Sequence, residues 1–453
     1  MKELLLINPI PRLSNISRRG FKIQPLSLAY VAAVTPPHWN VKILDENFEK
    51  ITGNEHADLI GITSMTSTVN RAYEIAAQFK KKNIPIIMGG IHVSMVPDEA
   101  LSYADSVVIG EAEDIWEDII DDFENKNLKK IYQGRHIDFS KRFILPRRDL
   151  LNPKYSFASI QTSRGCPFEC EFCSVPSFNG KTFRQRAVED IISEIEQLPQ
   201  KAIVFIDDNL IGYSQESKNR AKNIFNEMIK RRLNKLWGCQ ASINFAEDED
   251  LLALAAKSGC CAVLIGLESI NPKTLSGHMK KKLNSAKGVD FYYELIKRLH
   301  KYGILLMGNM IFCNDEDDLE ILPKTSDFIK RANVDIPWPG VITPNPGTAL
   351  YNRLLSEGRL LYTKYPDDWA KYIATVPLKP KNYEVTEFYE AYFNFVRTVF
   401  SNFSIIKRTL KTLCYSKSLF KTLIVFNFNK SLRKRYMTGF LSPEHFLNKT
   451  NTK

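Results

Sequence analysis

The chain alternates short apolar runs with stretches of helical periodicity, and it does so in two series. The first series extends from residue 3 to about residue 125. Strands and helices that alternate at this spacing predict a parallel sheet with helices on both faces, the doubly wound or Rossmann-like α/β fold. Ligands of such sheets bind at the carboxyl ends of the strands. The predicted strands are 4–7, 41–44, 59–62, 84–88 and 106–109, with helices at 26–34 and 69–82 between them.

The second series begins at residue 158 and contains about six strand and helix units. This number predicts a complete or partial (β/α) barrel, with its chemistry at the carboxyl ends of the strands. The predicted strands are 158–161, 202–206, 236–241, 262–265, 304–312 and 335–343. We therefore expect a first domain at 1–135, a linker at 136–157, a barrel at 158–350 and a helical, aromatic region at 351–453.

The charge of the chain is concentrated at one end. The 453 residues have a formal charge of +11, but residues 391–453 contain twelve basic residues and a single acid, Glu444, so that residues 1–390 are neutral. This distribution argues against a nucleic-acid groove across the two sheet domains. No stretch reaches the roughly 18 apolar residues of a spanning helix, and the apolar run after Met1 is too short for a signal peptide. We expect a cytoplasmic protein.

Three of the eight cysteines lie within eight residues, directly after the first strand of the second series. The thiolates of Cys166, Cys170 and Cys173 can bind three irons of a four-iron cluster and leave the fourth iron open to a reactant. A structural zinc site is disfavoured because no fourth Cys or His lies nearby in sequence. Three core cysteines are also disfavoured, since free cysteines rarely crowd in this way.

The spacing Cys-x3-Cys-x2-Cys resembles that of the radical S-adenosylmethionine (SAM) superfamily. Five further segments of the barrel are similar to motifs of that family, in the same chain order. The resemblance covers about residues 158–350 and implies a [4Fe–4S] cluster on the three cysteines, with SAM bound to the open iron. The similar segments are 183–186, 205–209, 238–242, 265–269 and 343–348.

The same resemblance implies a SAM site along the strand ends. Carboxylate and amide oxygens after the second strand would accept from the SAM ammonium, and Glu268 would accept from the ribose hydroxyls. Individually, these side chains could instead cap a turn or a helix. Cys313 stands where the family usually has glycine, so the loop after the fifth strand departs from the family pattern. The implied SAM-binding residues are Asp207, Asp208, Asn209, Gln240, Gly266 and Glu268.

Segments 24–30, 61–65, 89–92, 97–100 and 110–113 are similar to the cobalamin-binding domain that is fused to some radical SAM barrels. The glycines could instead close tight turns, or the domain could have lost cobalamin. No histidine follows the pattern Asp-x-His-x-x-Gly, so we do not expect a histidine ligand to cobalt, and His92 is expected in a loop near the ligand. The implied cobalamin-binding residues are Thr63, Ser64, Met65, Gly89, Gly90, His92, Gly110 and Glu111.

These resemblances imply a cobalamin-dependent radical SAM enzyme of the class B methyltransferase type, similar to the hopanoid methylases. Such an enzyme would methylate an unactivated carbon of a lipid, hopanoid-like or natural-product substrate through a 5′-deoxyadenosyl radical and methylcobalamin, with electrons from a donor of the flavodoxin or ferredoxin type. One alternative is a radical SAM enzyme that catalyses oxidative cyclisation, dehydration or rearrangement. Another is a cluster-bearing binding or sensor protein without turnover.

The last 63 residues combine aromatic and basic side chains. Amphipathic helices of this composition bind anionic membrane surfaces or acidic substrates, which would place the protein at the inner face of the membrane. The alternative is a helical cap that packs its aromatic residues on the barrel. Nucleic acid is not expected, because the N-terminal cysteines and the β-rich RNA-binding module of tRNA methylthiotransferases are missing.

Overall fold

The protein contains two six-stranded parallel sheets followed by a group of helices. The structure is a computed structural model that describes residues 1–11, 22–139, 141–277, 283–373 and 375–438. Arg12, His278, Phe440 and the charged residues after it, Glu444 included, lie outside the described residues.

The first sheet has the strand order β2-β1-β3-β4-β5-β6, and all its pairs are parallel. The five predicted strands are confirmed. The edge strand β6 was not predicted, because it has only three residues and two of them are exposed. The strand order reverses between β1 and β3, and such a reversal opens a ligand crevice at the carboxyl ends. The strands are β1 (Lys2–Asn8), β2 (Trp39–Asp45), β3 (Leu59–Thr63), β4 (Ile86–Gly89), β5 (Ser106–Ile109) and β6 (Ile131–Gln133).

Helices cover both faces of the first sheet, and each face has its own apolar core. One core contains Tyr73 and Phe79, and the other contains Trp39 and Trp116. The doubly wound fold is therefore confirmed. The helices are α1 (Leu26–Ala33), α2 (Val69–Lys80), α3 (Ile91–Met95), α4 (Pro97–Leu101) and α5 (Trp116–Glu124).

The second sheet has the order β14-β13-β12-β11-β10-β7, again with parallel pairs throughout. Its two edge strands, β7 and β14, are not paired with each other. The sheet is therefore a partial barrel, which was one of the two predicted alternatives. The short antiparallel pair β8 (Ser163–Arg164) and β9 (Arg184–Gln185) flanks the cysteine loop. The main strands are β7 (Ala158–Ile160), β10 (Ala202–Phe205), β11 (Leu236–Ala241), β12 (Cys260–Glu268), β13 (Leu305–Phe312) and β14 (Ile336–Val341).

Helices pack on one face of this sheet. Trp237 of β11 stacks on Phe225 of the helix Gln215–Lys230 (α8), with ring centroids 4.9 Å apart. Side chains alternate along a strand, so the neighbours of Trp237 point to the opposite, helix-free face. The helices are α6 (Val175–Phe178), α7 (Val188–Glu196), α8 (Gln215–Lys230), α9 (Glu249–Lys257), α10 (Pro272–Ser276), α11 (Asn284–Lys287), α12 (Asp290–Lys301) and α13 (Ile321–Ala332), with 3-10 turns at Arg148–Leu150 and Ile243–Ala246.

The carboxyl-terminal helices pack on the edge of the second sheet. The hydroxyls of Tyr392 and Tyr436 donate to the carbonyl of Pro339 at 3.3 and 2.7 Å. Many aromatic residues of this region are therefore core, as the packing alternative expects. Trp369 and Tyr372, in the 3-10 turn Asp367–Ile373, pack instead into the core of the first sheet. The helices are α14 (Ala349–Ser356), α15 (Val385–Val399), α16 (Asn402–Ser416) and α17 (Leu419–Thr438).

Within the described parts of the chain, none of the helices combines the length and apolar character that crossing a membrane requires.

Candidate active site between the two sheets

The cysteine loop leaves the second sheet through a turn that requires glycine. Gly165 has φ +91°, and a Cβ there would lie 2.2 Å from the carbonyl oxygen of Thr182. The loop is folded on itself, since the Cys173 amide donates to the Cys170 carbonyl at 3.0 Å and the Cys166 amide donates to the Gly180 carbonyl at 3.2 Å. The three predicted cluster ligands therefore lie on one ordered loop at the carboxyl end of the sheet.

The thiols of this loop are partly shielded from solvent. Burial raises the pKa of Cys173 to about 12, and the neighbouring Cys170 and Cys166 reinforce the shift. Among the described residues, no three His, Cys, Asp or Glu side chains converge closely enough to hold one metal ion. This geometry is compatible with a cluster, in which each thiolate binds its own iron, and binding of iron would hold the thiols in their deprotonated form.

Asp207 and Asp208 follow the same strand but have different surroundings. Asp207 is buried and accepts from the Thr162 amide and hydroxyl at 3.0 and 2.9 Å and from the Ser163 hydroxyl at 2.5 Å. It therefore fixes the chain just before the cysteine loop. Asp208 is exposed, but neighbouring protein atoms partly desolvate its carboxyl and raise its pKa to about 6. The Asn179 amide, which donates to this carboxyl at 3.2 Å, opposes the rise.

Asn209 is buried, and its Oδ1 has no hydrogen-bond partner in the structure. A buried acceptor without a donor is costly and rare in native proteins. An ammonium or hydroxyl group of a ligand would satisfy it. Asn209 and Asp208 thus fit the predicted SAM site better than Asp207, whose carboxylate already has its donors.

The other predicted SAM residues lie on β11 and β12. Gln240 is exposed, and Gly266 is half-buried on the helix-free face. Glu268 is buried and accepts from Asn309 Nδ2 at 3.5 Å. Its φ of +64°, and the φ of +67° at Cys313 after β13, are uncommon for residues with a side chain. The conformation of Cys313 explains why a glycine is usual there.

The predicted cobalamin residues Thr63, Gly89 and Gly110 lie at the carboxyl ends of the adjacent strands β3, β4 and β5. Gly90 has φ +97°, and a Cβ there would lie 2.6 Å from the Ser64 carbonyl, so the turn itself requires this glycine. Met65, by contrast, is exposed, and the buried Ser64 hydroxyl has no partner in the structure. An exposed apolar side chain and an orphaned hydroxyl at one sheet edge fit a ligand with both apolar and polar groups.

His92 was predicted in a loop, but it lies in helix α3 and is fully buried. Its Nδ1 lies 3.1 Å from the Thr66 hydroxyl and its Nε2 lies 3.3 Å from Glu99. The ring also packs edge to face on Trp369, at 5.1 Å between centroids. Both ring nitrogens of His92 therefore have protein partners, and one of them stabilises the loop that contains Thr66.

Glu111 connects the two sheets. Its carboxylate accepts from Arg184 Nη2 at 2.5 Å and from the Ile137 amide at 2.8 Å, and it lies 3.1 Å from Arg164 Nη1. Glu113 binds the same Arg164 at 2.7 Å. Burial alone would raise the pKa of Glu111, but the hydrogen bond from Arg184 and the charge of Arg164 hold it below its usual value.

No role was predicted from the sequence for Arg164, Arg184 or Glu113, although charged residues beside two predicted ligand-binding loops indicate such a role. Two acids of Gly-Glu-Ala-Glu face two arginines that flank the cysteine loop, and all four side chains are largely buried. Buried charges of opposite sign must pair. The network therefore holds the carboxyl edge of the first sheet against the cysteine loop, since Arg164 precedes Cys166 by only two residues.

A second bridge joins the domains behind the site. Gln24 Oε1 accepts from Arg148 Nη1 at 2.9 Å and from the amide of Ser159 in β7 at 3.0 Å. Arg148 also pairs with the buried Glu194 of α7 at 2.5 Å. These contacts fix the first strand of the second sheet to the start of α1.

The helix-free face of the second sheet is mainly apolar and contains small residues. Its partly exposed side chains form rows across adjacent strands, for example Leu264 beside Met307 and Asn309 beside Trp338. Glycines at 238, 266 and 340 leave space between them. This face therefore offers a surface suited to a large apolar molecule.

The fold and the site define a two-domain α/β protein with a three-cysteine loop beside a ligand-binding sheet edge. Residues 14–120 match the family model described as B12 binding domain, and residues 160–323 match the model described as Radical SAM superfamily. The chain therefore combines an N-terminal B12-binding domain with a radical SAM domain.

Characterised relatives match over most of the chain. A bacteriochlorophyllide d C-8(2)-methyltransferase of Chlorobaculum tepidum is 29% identical over 446 residues, which cover 91% of this chain and 96% of that protein. A hopanoid C-2 methylase of Rhodopseudomonas palustris is 26% identical over 75% of this chain and 65% of its own. The solved structure of OxsB, a cobalamin-dependent SAM radical enzyme, has a TM-score of 0.70 with 16% identity, and the match covers 96% of this chain and 71% of that one.

These matches confirm the predicted family, the fold class, the enzyme class and the cofactor set of cobalamin, SAM and a [4Fe–4S] cluster. Methyl transfer, the main functional prediction, is the activity named for both of these relatives. The alternatives of cyclisation, dehydration or rearrangement are not favoured. The individual site residues remain predictions.

Proposed function

We propose that this protein transfers a methyl group from SAM to an unactivated carbon of a large, mainly apolar ring compound. The observation that carries the proposal is the bridge of Glu111 and Glu113 to Arg164 and Arg184. Because this bridge holds the predicted cobalamin edge against the cysteine loop, a methyl carrier on one side and SAM on the other would share a single chamber.

The residues fit the groups they would hold. Cys166, Cys170 and Cys173 would bind the cluster, which supplies the electron for SAM cleavage when it is bound. Asp208 and the unsatisfied Oδ1 of Asn209 would orient the SAM ammonium, and Asp207 would position the loop. Thr63, Ser64 and Gly89 would line the cobalamin edge, where the buried Ser64 hydroxyl lacks a partner. The apolar chamber wall would exclude water, which protects reactive species from side reactions.

The substrate class follows from the helix-free face and from the relatives. Side chains such as Leu264, Met307 and Trp338 offer an apolar surface, whereas few charges are available to hold a polar substrate. The two relatives act on a bacteriochlorophyllide and a hopanoid, and both names denote large ring systems. We propose a polycyclic substrate of this size and polarity.

The proposal is tested with anaerobically reconstituted protein, methyl-labelled SAM, a reductant and either a bacteriochlorophyllide or a hopanoid. We expect label in the ring compound. Gly340→Leu should reduce this transfer at least tenfold without changing the iron content, because it fills part of the face, and its Cβ would meet only ordinary contacts. Lack of labelled product from both classes, with SAM cleavage intact, would refute the substrate proposal.

The proposed partners include a one-electron donor of the flavodoxin or ferredoxin type, because a cluster of this kind must be reduced before each turnover. We also propose that residues 391–453 contact the membrane surface. The support is the excess of positive charge in this region and the exposed apolar residues of α16 and α17, among them Phe403 and Leu419. Such contact would give the enzyme access to an apolar substrate in the bilayer.

A further inference from the structure

A cavity of about 360 Å³ lies between α13, the end of α15 and α16, and none of its lining residues belongs to the candidate active site. Within the part of the chain that the structure describes, four cations and no acid line it: Lys330, Lys407, Arg408 and Lys411. The α16 helix also begins here, where Ser401 caps it by accepting from the Ser404 amide at 3.2 Å. The first turn of a helix carries a partial positive charge that adds to these cations.

Arg408 is the unusual member of this group. It is 5% exposed, and its Nη1 has no hydrogen-bond partner among the described residues. The other guanidinium contacts are neutral: Nε donates to the Ser404 carbonyl at 3.2 Å, Nη2 donates to the Val399 carbonyl, and the group lies over the Phe400 ring at 5.7 Å. Burial lowers the pKa of Arg408 to about 10.

Asp335, the acid whose charge acts on Arg408, already has its own hydrogen-bond donors. It accepts from His300 Nε2 at 2.8 Å and from the Tyr415 hydroxyl at 2.8 Å, and the Leu306 amide donates to it at 2.9 Å. A buried cation that lacks its own counter-ion is costly. An anion in the adjacent cavity would reduce that cost.

An apolar stripe borders the cavity. The described residues contain seventeen exposed large apolar side chains, and seven of them fall between residues 403 and 423. Four lie at helical spacing on one face of α16, and Lys407 and Lys411 run along the same exposed side. Exposed apolar surface next to lysines is the pattern of a helix that lies in a membrane interface. The seven residues are Phe403, Ile406, Leu410, Leu413, Leu419, Phe420 and Leu423.

We infer that this cavity binds the phosphate of an anionic lipid headgroup while the stripe of α16 and α17 enters the acyl boundary of the bilayer. The inference rests on the proposed membrane contact of the tail and names the group that this contact recognises. Lys407 and Lys411 belong to both features, so one lipid can place its phosphate between the lysines and Arg408 and its chains against the stripe.

The test measures binding of the full-length protein to vesicles of phosphatidylglycerol and phosphatidylcholine, and to phosphatidylcholine alone. We expect binding only to the anionic vesicles. The double variant K407Q/K411Q should weaken it about thirtyfold, since each lysine that directly contacts the anionic headgroup contributes about fivefold. The control K417Q/K430Q removes the same charge from exposed lysines of the tail that do not line the cavity, and we expect a loss of less than about threefold.

Each result separates the two proposals. If both double variants lose the same amount, the headgroup site is refuted and the membrane contact stands. If the unaltered protein does not bind anionic vesicles, both are refuted. Inorganic phosphate at constant ionic strength provides the second arm. A phosphate-dependent rise in the unfolding temperature that K407Q/K411Q abolishes, without any vesicle binding, would identify a soluble anion as the ligand and overturn the lipid inference.

Discussion

Replacement of Glu111 by glutamine tests the bridge between the two sheets. Glutamine has the same shape as glutamate, so the variant removes charge while it preserves packing. The Glu111 carboxylate is 3% exposed and receives donors from Arg184, Arg164 and the Ile137 amide. Arg164 retains Glu113, but Arg184 loses its only ion-pair partner within the described residues.

The expected cost follows from that change. Removal of one partner from a buried ion pair destabilises proteins by about 3 to 5 kcal/mol, because the remaining charge stays buried without compensation. We therefore expect E111Q to lower the free energy of unfolding by about 3 to 5 kcal/mol in urea denaturation at neutral pH. The effect should be concentrated in the contact between the sheets and should also lower cobalamin retention.

The control is Glu189→Gln, which breaks the pair of Glu189 with Arg231. That pair has an N–O distance of 2.6 Å, but the Glu189 side chain is 67% exposed. Exposed pairs contribute about 0 to 1 kcal/mol. A loss below about 1 kcal/mol for E111Q, or a loss equal to that of E189Q, would contradict the view that the Glu111 network joins the domains.

Three further predictions concern the site. Cys166→Ala, Cys170→Ala and Cys173→Ala should each abolish the iron–sulfur absorbance, whereas the exposed Cys414→Ala should retain full iron content. Asp208→Asn should weaken SAM binding about tenfold or more in equilibrium dialysis, because a charge-assisted hydrogen bond contributes about 1.5 to 3 kcal/mol; Asp250→Asn, at a 91% exposed carboxyl, should leave it unchanged. The pKa of Glu111 is lower in the folded protein than in the unfolded chain, so this carboxylate stabilises the fold above about pH 4.5 and loses that contribution as the pH falls through the folded pKa. The stability difference between the unaltered protein and E111Q should therefore shrink on acidification. A constant difference down to about pH 3 would speak against this assignment.

The sheets were predictable from the sequence because buried parallel strands are short, continuous apolar runs. The predicted strand at 106–109 and the one at 236–241 agree with the structure residue for residue. Strand β6 was missed because three residues with polar flanks have no periodic signal. Helix α3 was expected as a loop because its five residues follow a glycine turn and are too few to show helical periodicity.

The site was predictable where a motif is local and not where it depends on distant contacts. The cysteine spacing is visible in eight residues, and so the loop was found. The partners of Glu111 are 53 and 73 residues away in sequence, at Arg164 and Arg184, and only the fold brings them together. The burial of His92 was not predicted for the same reason, since it depends on Trp369, which is distant in the sequence.

The most direct test of the central claim is the fate of SAM on the reconstituted protein. Anaerobic incubation with SAM and a reductant is predicted to yield 5′-deoxyadenosine, together with a cobalamin absorbance band that persists after gel filtration. The same protein with Cys166, Cys170 and Cys173 replaced by alanine should yield none while it retains the cobalamin band. Protein that holds its cluster but forms no 5′-deoxyadenosine would contradict the account of a radical SAM enzyme.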